Sequence, residues 1–492
     1  MDYDHLEANG NPISDDRGHR YLPFWPSVRS DVRSRFAETL EGGQAMIELS
    51  PEILTFIMFF GILIFVVTGY PLGVGLGALT LLVGGVTLGF DVTAEIMYAQ
   101  TYGLCSSYVL VAMPLFVIMG VLLENTGIVD RLYSILYVWL GGLRGGLAAV
   151  TIVIGAIMAA CVGVIAASVT LLTLVALPSM VKRGYSKSLA AGTCAAGGTL
   201  GILIPPSIML VIYGPLAQLS VGKLFMGAFI PGFLLSALYI AYILIRCYLR
   251  PQDGPAIPVE DRNVPLGKKI GLLLYSLVPP AVLVLSVLGA IFFGIAPPTE
   301  AAASGALAAG VLVICYRRFN WKLLQKTCVE TLKITSFAMF VGAMSVAFTG
   351  VFMRLGCGDV ITNFILEFPF GRWGAFTFIM FVLFALGFFI DWVGIVFIMV
   401  PIITPLVPKM GFDPLWFALM VCVNFQMSFM TPPMAFAIFF VKGSADPALG
   451  ITTMDIIRGV GPFVILIMIG LGLCVAFPSI ITWLPSQMIT GF

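Results

Sequence analysis

Long apolar runs alternate with short polar segments along the chain from about residue 46 onward. A helix needs about 20 apolar residues to cross a bilayer, and ten runs meet or approach that length. They are 51–70, 73–90, 107–126, 187–213, 224–247, 271–294, 300–316, 332–353, 414–441 and 456–485. These runs are too long for the roughly ten-residue strands of a membrane barrel. Because helices satisfy their own backbone in lipid, the pattern predicts an all-α polytopic membrane protein with about ten transmembrane helices.

Two further apolar runs, 145–181 and 373–408, are too long for one crossing and are interrupted in the middle. Small and polar residues at 163–168 divide the first run, and the tetrapeptide 391–394 divides the second. Two short helices that meet at such a tip form a re-entrant hairpin, which is tolerated where protein or a water-filled cavity covers the tip. The pattern therefore predicts two hairpins beside the ten crossings.

An internal repeat relates the two halves of the chain, since a shift of 227 residues lays one predicted hairpin on the other. The matched pairs are Pro178 with Pro405, Gly184 with Gly411, Pro205 with Pro432, and Pro206 with Pro433. Each half contains five crossings and one hairpin, and an odd number of crossings turns the second copy upside down. This is the inverted-repeat plan of secondary transporters.

The repeat also sets the predicted organisation of the chain. The units are a polar tail at 1–45, a first repeat at 46–250, a cytoplasmic linker at 251–270 and a second repeat at 271–492. The tail has no apolar stretch and so does not resemble a cleavable signal peptide. We expect it to be disordered or not translated.

Composition narrows the function classes. Apolar residues make up 59% of the chain and charged residues 10%, so hydrocarbon is its main surrounding. A net charge of +1 without a concentrated basic patch argues against a nucleic-acid partner. The histidines, His5 and His19, both lie in the tail, which excludes histidine-dependent catalysis and metal ligation in the membrane part. We expect no cofactor.

Double prolines interrupt two of the apolar runs, at Pro205-Pro206 and Pro432-Pro433. Proline removes a backbone donor and clashes with the preceding turn, so each helix is expected to break and to leave free carbonyls within the membrane. Such carbonyls near a hairpin tip suit Na⁺, whereas a simple proline kink is the alternative at either site. The candidate sodium ligands are Gly163, Ser168, Gly201, Pro205, Pro206, Asp391, Gly394, Thr431 and Pro432.

A few polar residues stand out within the apolar runs. Asp391 is a carboxylate deep in a membrane segment, where charge is costly and usually functional. It is expected to bind Na⁺, to contact substrate through water or to organise the tip, and capping of the following helix is the structural alternative. Ser168 and Thr170 offer hydroxyls to an ion or substrate, or bond the backbone of their own helix. Glu300, beside Thr299, is expected to be structural.

Several motifs occur together in one order. They are PLFVIMGVLLENTGIVDRL at 114–132, ALPSMVKRGYSKSLAAG at 176–192, LGILIPPS at 200–207, GIAPPTEAAASGALAAG at 294–310 and TPP at 431–433 downstream of Asp391. From Met46 to the C-terminus the chain resembles the large permease subunit, DctM, of the tripartite ATP-independent periplasmic (TRAP) transporters. The resemblance implies an elevator-type fold and Na⁺ as coupling ion.

The resemblance also implies partners and roles. The family's permease works with a small four-helix membrane subunit and a periplasmic solute-binding protein that delivers an organic acid, in the bacterial inner membrane. The resemblance places Asp391 at the substrate and ion site, and it aligns Arg354 with an arginine that binds the substrate carboxylate. A guanidinium suits a carboxylate bidentately, and an interfacial, snorkelling Arg354 is the alternative.

Two other functions remain open from the sequence. A self-sufficient divalent-anion/Na⁺ symporter would share the repeats and broken helices without a binding protein. An intramembrane aspartyl protease is suggested by Gly356-Cys357-Gly358-Asp359 but needs a second aspartate from a Tyr-Asp pair in a neighbouring helix. The chain has that pair only at Tyr3-Asp4, in the tail.

Basic residues predict the orientation. The loops opposite the termini hold most of them, whereas the terminal side outside the tail holds only Lys223, Arg354, Arg372 and Lys409, so both termini are expected in the periplasm. Arginines of the tail near the first crossing oppose this topology. We therefore expect that translation begins at Met46 or that the tail is a dispensable extension.

Overall fold

The computed structural model describes residues 49–163, 165–256, 265–433 and 435–488. The predicted tail at 1–45, the predicted start at Met46 and part of the linker, 257–264, lie outside the described residues. Over the described ranges the elements are helices joined by turns, and none is a strand. The predicted all-α fold is therefore confirmed.

Helices of the first half follow the predicted runs closely. They are α1 (Pro51–Val67), α2 (Leu72–Thr87), α3 (Phe90–Cys105), α4 (Ala112–Asn125), α5 (Ile128–Leu140), α6 (Gly146–Val162), α7 (Ile165–Lys182), α8 (Lys187–Thr199), α9 (Ile208–Leu216) and α10 (Val221–Leu249). One-turn 3₁₀ helices precede α4, follow α8 and follow α10. The 3₁₀ turn before α4 extends that helix at its N-terminus, and the 3₁₀ turn after α8 extends that helix at its C-terminus.

Helices of the second half recur in the same order. They are α11 (Leu266–Phe292), α12 (Pro298–Cys315), α13 (Trp321–Arg354), α14 (Cys357–Leu366), α15 (Gly371–Leu386), α16 (Trp392–Ile403), α17 (Leu406–Lys409), α18 (Pro414–Ser428), α19 (Phe436–Ser444), α20 (Thr453–Ala476) and α21 (Ser479–Ser486). With the shift of 227 residues, α7 matches α16 and α17, α8 matches α18, and α9 matches α19. The two broken helices are thus equivalent elements of the repeat.

Three helices, α3, α5 and α14, have no counterpart among the predicted crossings, and α13 begins eleven residues earlier than its predicted run. Polar residues interrupt these stretches, so none of them contains the roughly 20 apolar residues that were used to predict a crossing. A helix with one apolar face can still form there. Glycines with positive φ, Gly127 and Gly356, precede α5 and α14, and only a residue without Cβ adopts this conformation without cost. With the shift of 227 residues, α5 falls on 355–367, which contains α14, and α3 falls on 317–332, which overlaps the early part of α13, so these elements also correspond in the repeat.

Seven helices in the described part of the chain are long and apolar enough to cross a membrane on their own. The predicted last run, 456–485, is not one helix, because α20 ends at Ala476 and α21 begins after Pro478. The number of ten crossings stays a prediction.

Each predicted hairpin is a pair of helices separated by a short break, α6 with α7 and α15 with α16, but the breaks differ from the predicted tip positions. The first break lies at Gly163, so Ser168 and Thr170 lie inside α7 rather than at the tip. The second break begins at Gly387 and ends at Asp391, so Gly394 lies inside α16. A helix continues through Ala, Ser and Val once it has begun, whereas glycine ends it most readily.

Helix α8 is buried from Leu189 to Thr199, and the small residues of its sequence KSLAAGTCAAGGT explain how. Small residues let neighbouring backbones approach closely in membrane proteins. A Cβ at Gly192 would lie 2.3 Å from the Gly459 carbonyl oxygen of α20, and one at Gly155 of α6 would lie 2.5 Å from that of Gly197. Glycines on both sides therefore set the packing of α8 against α6 and α20.

Helix α18 is also buried but packs differently, through aromatic residues and amides. The Asn424 side chain donates to the Met380 carbonyl of α15 at 2.8 Å, and the Ser428 hydroxyl donates to Phe384 at 3.3 Å. These hydrogen bonds satisfy buried polar groups and tie α18 to the first helix of the second hairpin.

The open end of the first hairpin is tied to the segment after α10. The backbone N–H groups of Gly145 and Ser186, which flank the hairpin, donate to Gly254 and Asp253 at 2.9 and 3.0 Å. Asp253 in turn pairs with Arg246 of α10 at 2.9 Å. This links the hairpin to α10, so the two elements are held as one unit at this end.

A substitution at the α8–α20 contact tests this packing. A Cβ at Gly459 would lie 2.0 Å from the Ser188 carbonyl oxygen, so Gly459→Val should destabilise the protein by about 1–3 kcal/mol through overpacking. Gly472→Val on the same helix is the control, because nothing lies within 4 Å of its added Cβ. The apparent melting temperature in detergent should fall for Gly459→Val alone, and an equal fall in both variants would contradict the close contact.

Candidate functional site

Both hairpin tips and both broken helices meet at one cavity of about 420 Å³. Helix α13 forms the remaining wall. The lining residues are Gly163, Ile165, Ala166, Ile202, Ile208, Lys333, Ile334, Phe337, Ala338, Asp391, Trp392, Val393, Phe429, Phe436 and Phe440. Its volume lies within the range of roughly 300–1,000 Å³ that is usual for small-ligand sites.

Helix α13 presents one stripe to this cavity. Lys333 and Phe337 are four residues apart, as are Ile334 and Ala338, and residues at this spacing are neighbours on one helix face. One turn beyond the stripe, α13 packs on α16, where a Cβ at Gly342 would lie 2.6 Å from the Phe397 ring. The contact places the α13 stripe opposite the start of α16.

The tip of the first hairpin lies against the first double-proline break. Gly163 has φ of 64°, and a Cβ there would lie 3.1 Å from the Pro206 carbonyl oxygen. Between Leu203 and Ser207 the chain is not helical, so this carbonyl is outside a regular helical ladder. A carbonyl oxygen therefore faces the hairpin tip, as the sequence predicts for the Pro205-Pro206 site.

The tip of the second hairpin carries Asp391, which occupies the N-cap position of α16 with extended φ and ψ of −64° and 151°. The side chain is half-buried and lines the cavity. The first N–H groups of a helix carry partial positive charge, which favours a carboxylate at this position. Asp391 therefore lies both at the N-cap position and in the cavity wall, but its side chain makes no capping hydrogen bond.

Lys333 and Asp391 are the charged groups among the described residues that line the cavity. The other lining side chains are aliphatic or aromatic, with glycine at the first tip. Asp391 is half-buried in these surroundings, where a charge interacts more strongly than in water, whereas Lys333 is exposed. The cavity therefore offers one carboxylate from a hairpin tip and one ammonium from α13, each suited to a ligand of opposite charge.

The two predicted hydroxyls lie near the cavity without lining it. Ser168 is 0% exposed, and its Oγ has no hydrogen-bond partner among the described residues. A buried hydroxyl without a partner is unusual and marks a position that an ion or water would satisfy. Thr170 accepts a hydrogen bond from the Ser444 hydroxyl of α19 at 3.3 Å, which joins the first hairpin to the second broken helix.

The remaining predicted sodium ligands are spread around the two breaks. Gly201 is buried, whereas Pro432 is exposed. The Thr431 hydroxyl donates to the Met427 carbonyl of its own chain segment at 2.8 Å. Pro205 lines a second, apolar cavity between α6, α10 and α11. A Cβ at Gly394 would overlap Leu72 of α2, so this glycine allows a close contact with another helix.

Arg354 lies outside the cavity. It is the last residue of α13 and is exposed, and it lies 21 residues from Lys333, roughly 30 Å along the helix. The described structure does not bring it together with Asp391. The role that the resemblance implies for Arg354 stays a prediction.

Two residues of the site region were missed in the sequence. Lys333 appears there as one of several basic residues in a loop, because its run was predicted to begin at 332, and only the extended α13 places it in the cavity wall. Gln426 is 0% exposed, and neither atom of its side-chain amide has a partner among the described residues. Two amide side chains inside one apolar run, Asn424 and Gln426, are the feature of the sequence that could have indicated polar contacts in α18.

Comparison with known proteins agrees with this architecture. Residues 58–480 match the model of the family described as tripartite ATP-independent periplasmic transporter, DctM component. This range contains both hairpins, both broken helices and all of α13.

Two curated relatives cover most of the chain. It is 31% identical to the isethionate TRAP transporter permease protein DctMQ of Oleidesulfovibrio alaskensis, over 78% of this chain and 59% of that protein. It therefore spans little more than half of that relative. It is 29% identical to the C4-dicarboxylate TRAP transporter large permease protein DctM of Pseudomonas aeruginosa, over 77% of this chain and 87% of that protein.

A solved structure shares the fold. The YdaH transporter of Alcanivorax borkumensis superposes with a TM-score of 0.54 at 16% identity, over 81% of this chain and 90% of that one. At this identity the likeness concerns the fold alone. The family match over residues 58–480 shows that the chain belongs to the DctM family, the DctM component of tripartite ATP-independent periplasmic transporters.

Proposed function

We propose that this chain is the large membrane subunit of a Na⁺-coupled secondary importer of an organic acid, which a periplasmic solute-binding protein delivers. The observation that carries the proposal is the cavity at which both hairpin tips and both broken helices meet, with Asp391 on one wall and Lys333 on another. Secondary transporters bind substrate and coupling ion where discontinuous helices meet.

Hard oxygen ligands near the tips support Na⁺ as the coupling ion. The Asp391 carboxylate, the Pro206 carbonyl beside Gly163 and the unpartnered Ser168 hydroxyl are all of this type. The sequence has no G-x-x-x-x-G-K-[ST] loop to bind the phosphates of ATP. An ion gradient is therefore the energy source we propose.

The Lys333 ammonium and the names of the relatives support an organic acid as substrate. Isethionate and C4-dicarboxylates, for which the two relatives are named, are both organic anions. The family description, tripartite and periplasmic, supports a small membrane subunit and a periplasmic binding protein as partners in the inner membrane. The alternative is a symporter that works without a binding protein, and experiments have to distinguish it from the binding-protein-dependent importer.

Sodium dependence is the first test. In proteoliposomes that contain the chain and its small subunit, replacing Na⁺ by K⁺ at constant membrane potential should reduce uptake to background, because the proposed ion ligands then bind no coupling ion. The measurement is accumulation of labelled acid supplied with the binding protein. Unchanged uptake in K⁺ would exclude Na⁺ coupling.

Dependence on the binding protein is the second test. Omitting it from the same proteoliposomes, with Na⁺ and free acid retained, should reduce the initial rate to background, because delivery is proposed to require docking. An unrelated periplasmic protein at equal concentration is the control. Full uptake without any binding protein would favour the self-sufficient symporter.

Replacement of Asp391 is the third test. Asp391→Asn keeps the shape and one side-chain oxygen but removes the charge, so uptake should fall on the order of tenfold or more. Asp359→Asn is the matched control, since Asp359 is exposed at the start of α14 and does not line the cavity. Both variants should reach parental amounts in the membrane. Parental uptake by Asp391→Asn would contradict its role.

A further inference from the structure

The cavity lining suggests what kind of acid is carried, and this inference rests on the proposed function. Five aromatic rings line the cavity, those of Phe337, Trp392, Phe429, Phe436 and Phe440. Among the described lining residues none is a hydroxyl, an amide or a second cation. We propose that the substrate has a single carboxylate on an apolar, ring-sized body, and that Lys333 binds this carboxylate.

A second carboxylate would be poorly accommodated. A carboxylate that leaves water for an apolar lining is costly unless it is paired, and the described lining holds one cation, the exposed Lys333. Hydroxyl groups of a sugar acid would likewise lose water and gain few side-chain partners, since the Trp392 indole N–H is the one uncharged polar side-chain group among the described lining residues. An apolar body gives up no hydrogen bonds to water on entering the cavity, and its burial against the aromatic rings is favourable. The lining thus favours a hydrophobic monoanion over a dicarboxylate or a polyhydroxy acid.

The two charged groups have separable tasks. A substrate carboxylate beside Asp391 would be repelled unless a cation lies between them. Under the proposed function Na⁺ binds on the Asp391 side, which leaves the carboxylate to the Lys333 ammonium. Lys333 and Phe337 are neighbours on the same face of α13, so an acid group at Lys333 has its body beside the Phe337 ring.

Cavity size limits the body of the acid. At about 420 Å³ the volume lies at the lower end of the range for small-ligand sites, roughly 300–1,000 Å³. A single ring with a short acidic side chain suits this space. Phenylacetate is therefore the probe of choice, with succinate, gluconate and neutral phenylacetamide for comparison.

Equilibrium binding tests the substrate class independently of transport. The full chain in lipid nanodiscs, with Na⁺ present, is titrated with the four probes, and binding is followed by isothermal calorimetry and by the shift in melting temperature. Phenylacetate should bind on the order of tenfold more tightly than succinate, gluconate or phenylacetamide, because it alone combines one charge with an apolar ring. Equal or tighter binding of succinate or gluconate would overturn the proposed class, and so would absence of phenylacetate binding.

Variants at position 333 test the lysine. Lys333→Gln should weaken phenylacetate binding on the order of tenfold and leave phenylacetamide binding unchanged, and Lys333→Arg should restore the preference for the anion. Lys322→Gln is the matched control, since Lys322 is exposed on the same helix and does not line the cavity. Equal melting temperatures without ligand show that the variants are folded.

The outcomes separate this inference from the proposed function. Parental phenylacetate binding by Lys333→Gln overturns the role of Lys333, whatever drives transport. Loss of Na⁺ dependence in the uptake assay overturns the coupling and leaves the binding preferences intact. Sodium-driven uptake of succinate with no binding of phenylacetate overturns the substrate class alone.

Discussion

The structure depends on one constraint, which is that broken backbone within a membrane needs cover from protein or enclosed water. In hydrocarbon, an N–H or carbonyl without a partner is costly, so a chain that interrupts four helical elements has to bring the interruptions together. Here the two hairpin tips and the two double-proline breaks surround a single cavity, and α13 forms a further wall on which Lys333 and Phe337 are exposed. The requirement to cover these ends therefore creates the partly open cavity in which ions and substrate are proposed to bind.

Close packing makes this arrangement possible, and the two repeats achieve it by different chemistry. In the first repeat, glycines of α6 and α8 let backbones touch, as at Gly155 with Gly197, and Gly192 of α8 makes the same kind of contact with Gly459 of α20 in the second repeat. In the second repeat, α18 uses Asn424 and Ser428 to bond carbonyls of α15. Related elements thus reach the same architecture while their side chains differ. The cavity is likewise not symmetric, since the second hairpin tip contributes Asp391 and the first contributes Gly163.

Asymmetry of charge gives the cavity its chemical character. Asp391 is held at the start of α16, where the helix end favours a negative group, whereas Lys333 comes from α13. One wall therefore suits a cation and the other an anion, and the aromatic rings between them suit neither. Such a division would couple ion and substrate binding, because both charges of the cavity are compensated only when both ligands are bound.

The sequence by itself determined the helical membrane fold, the positions of the broken helices and the place of Asp391 at a break between two helices, because apolar length, paired prolines and a charge within an apolar run act locally. Hairpin tips were misplaced by a few residues, since a helix ends where glycine and neighbouring packing decide, as at Gly163 and Gly387. Only the tertiary structure decided that Lys333 lines the cavity and that Arg354 lies roughly 30 Å away on the same helix. The reason is that residues from five separate elements form the cavity, and distances between elements depend on packing that no local pattern records.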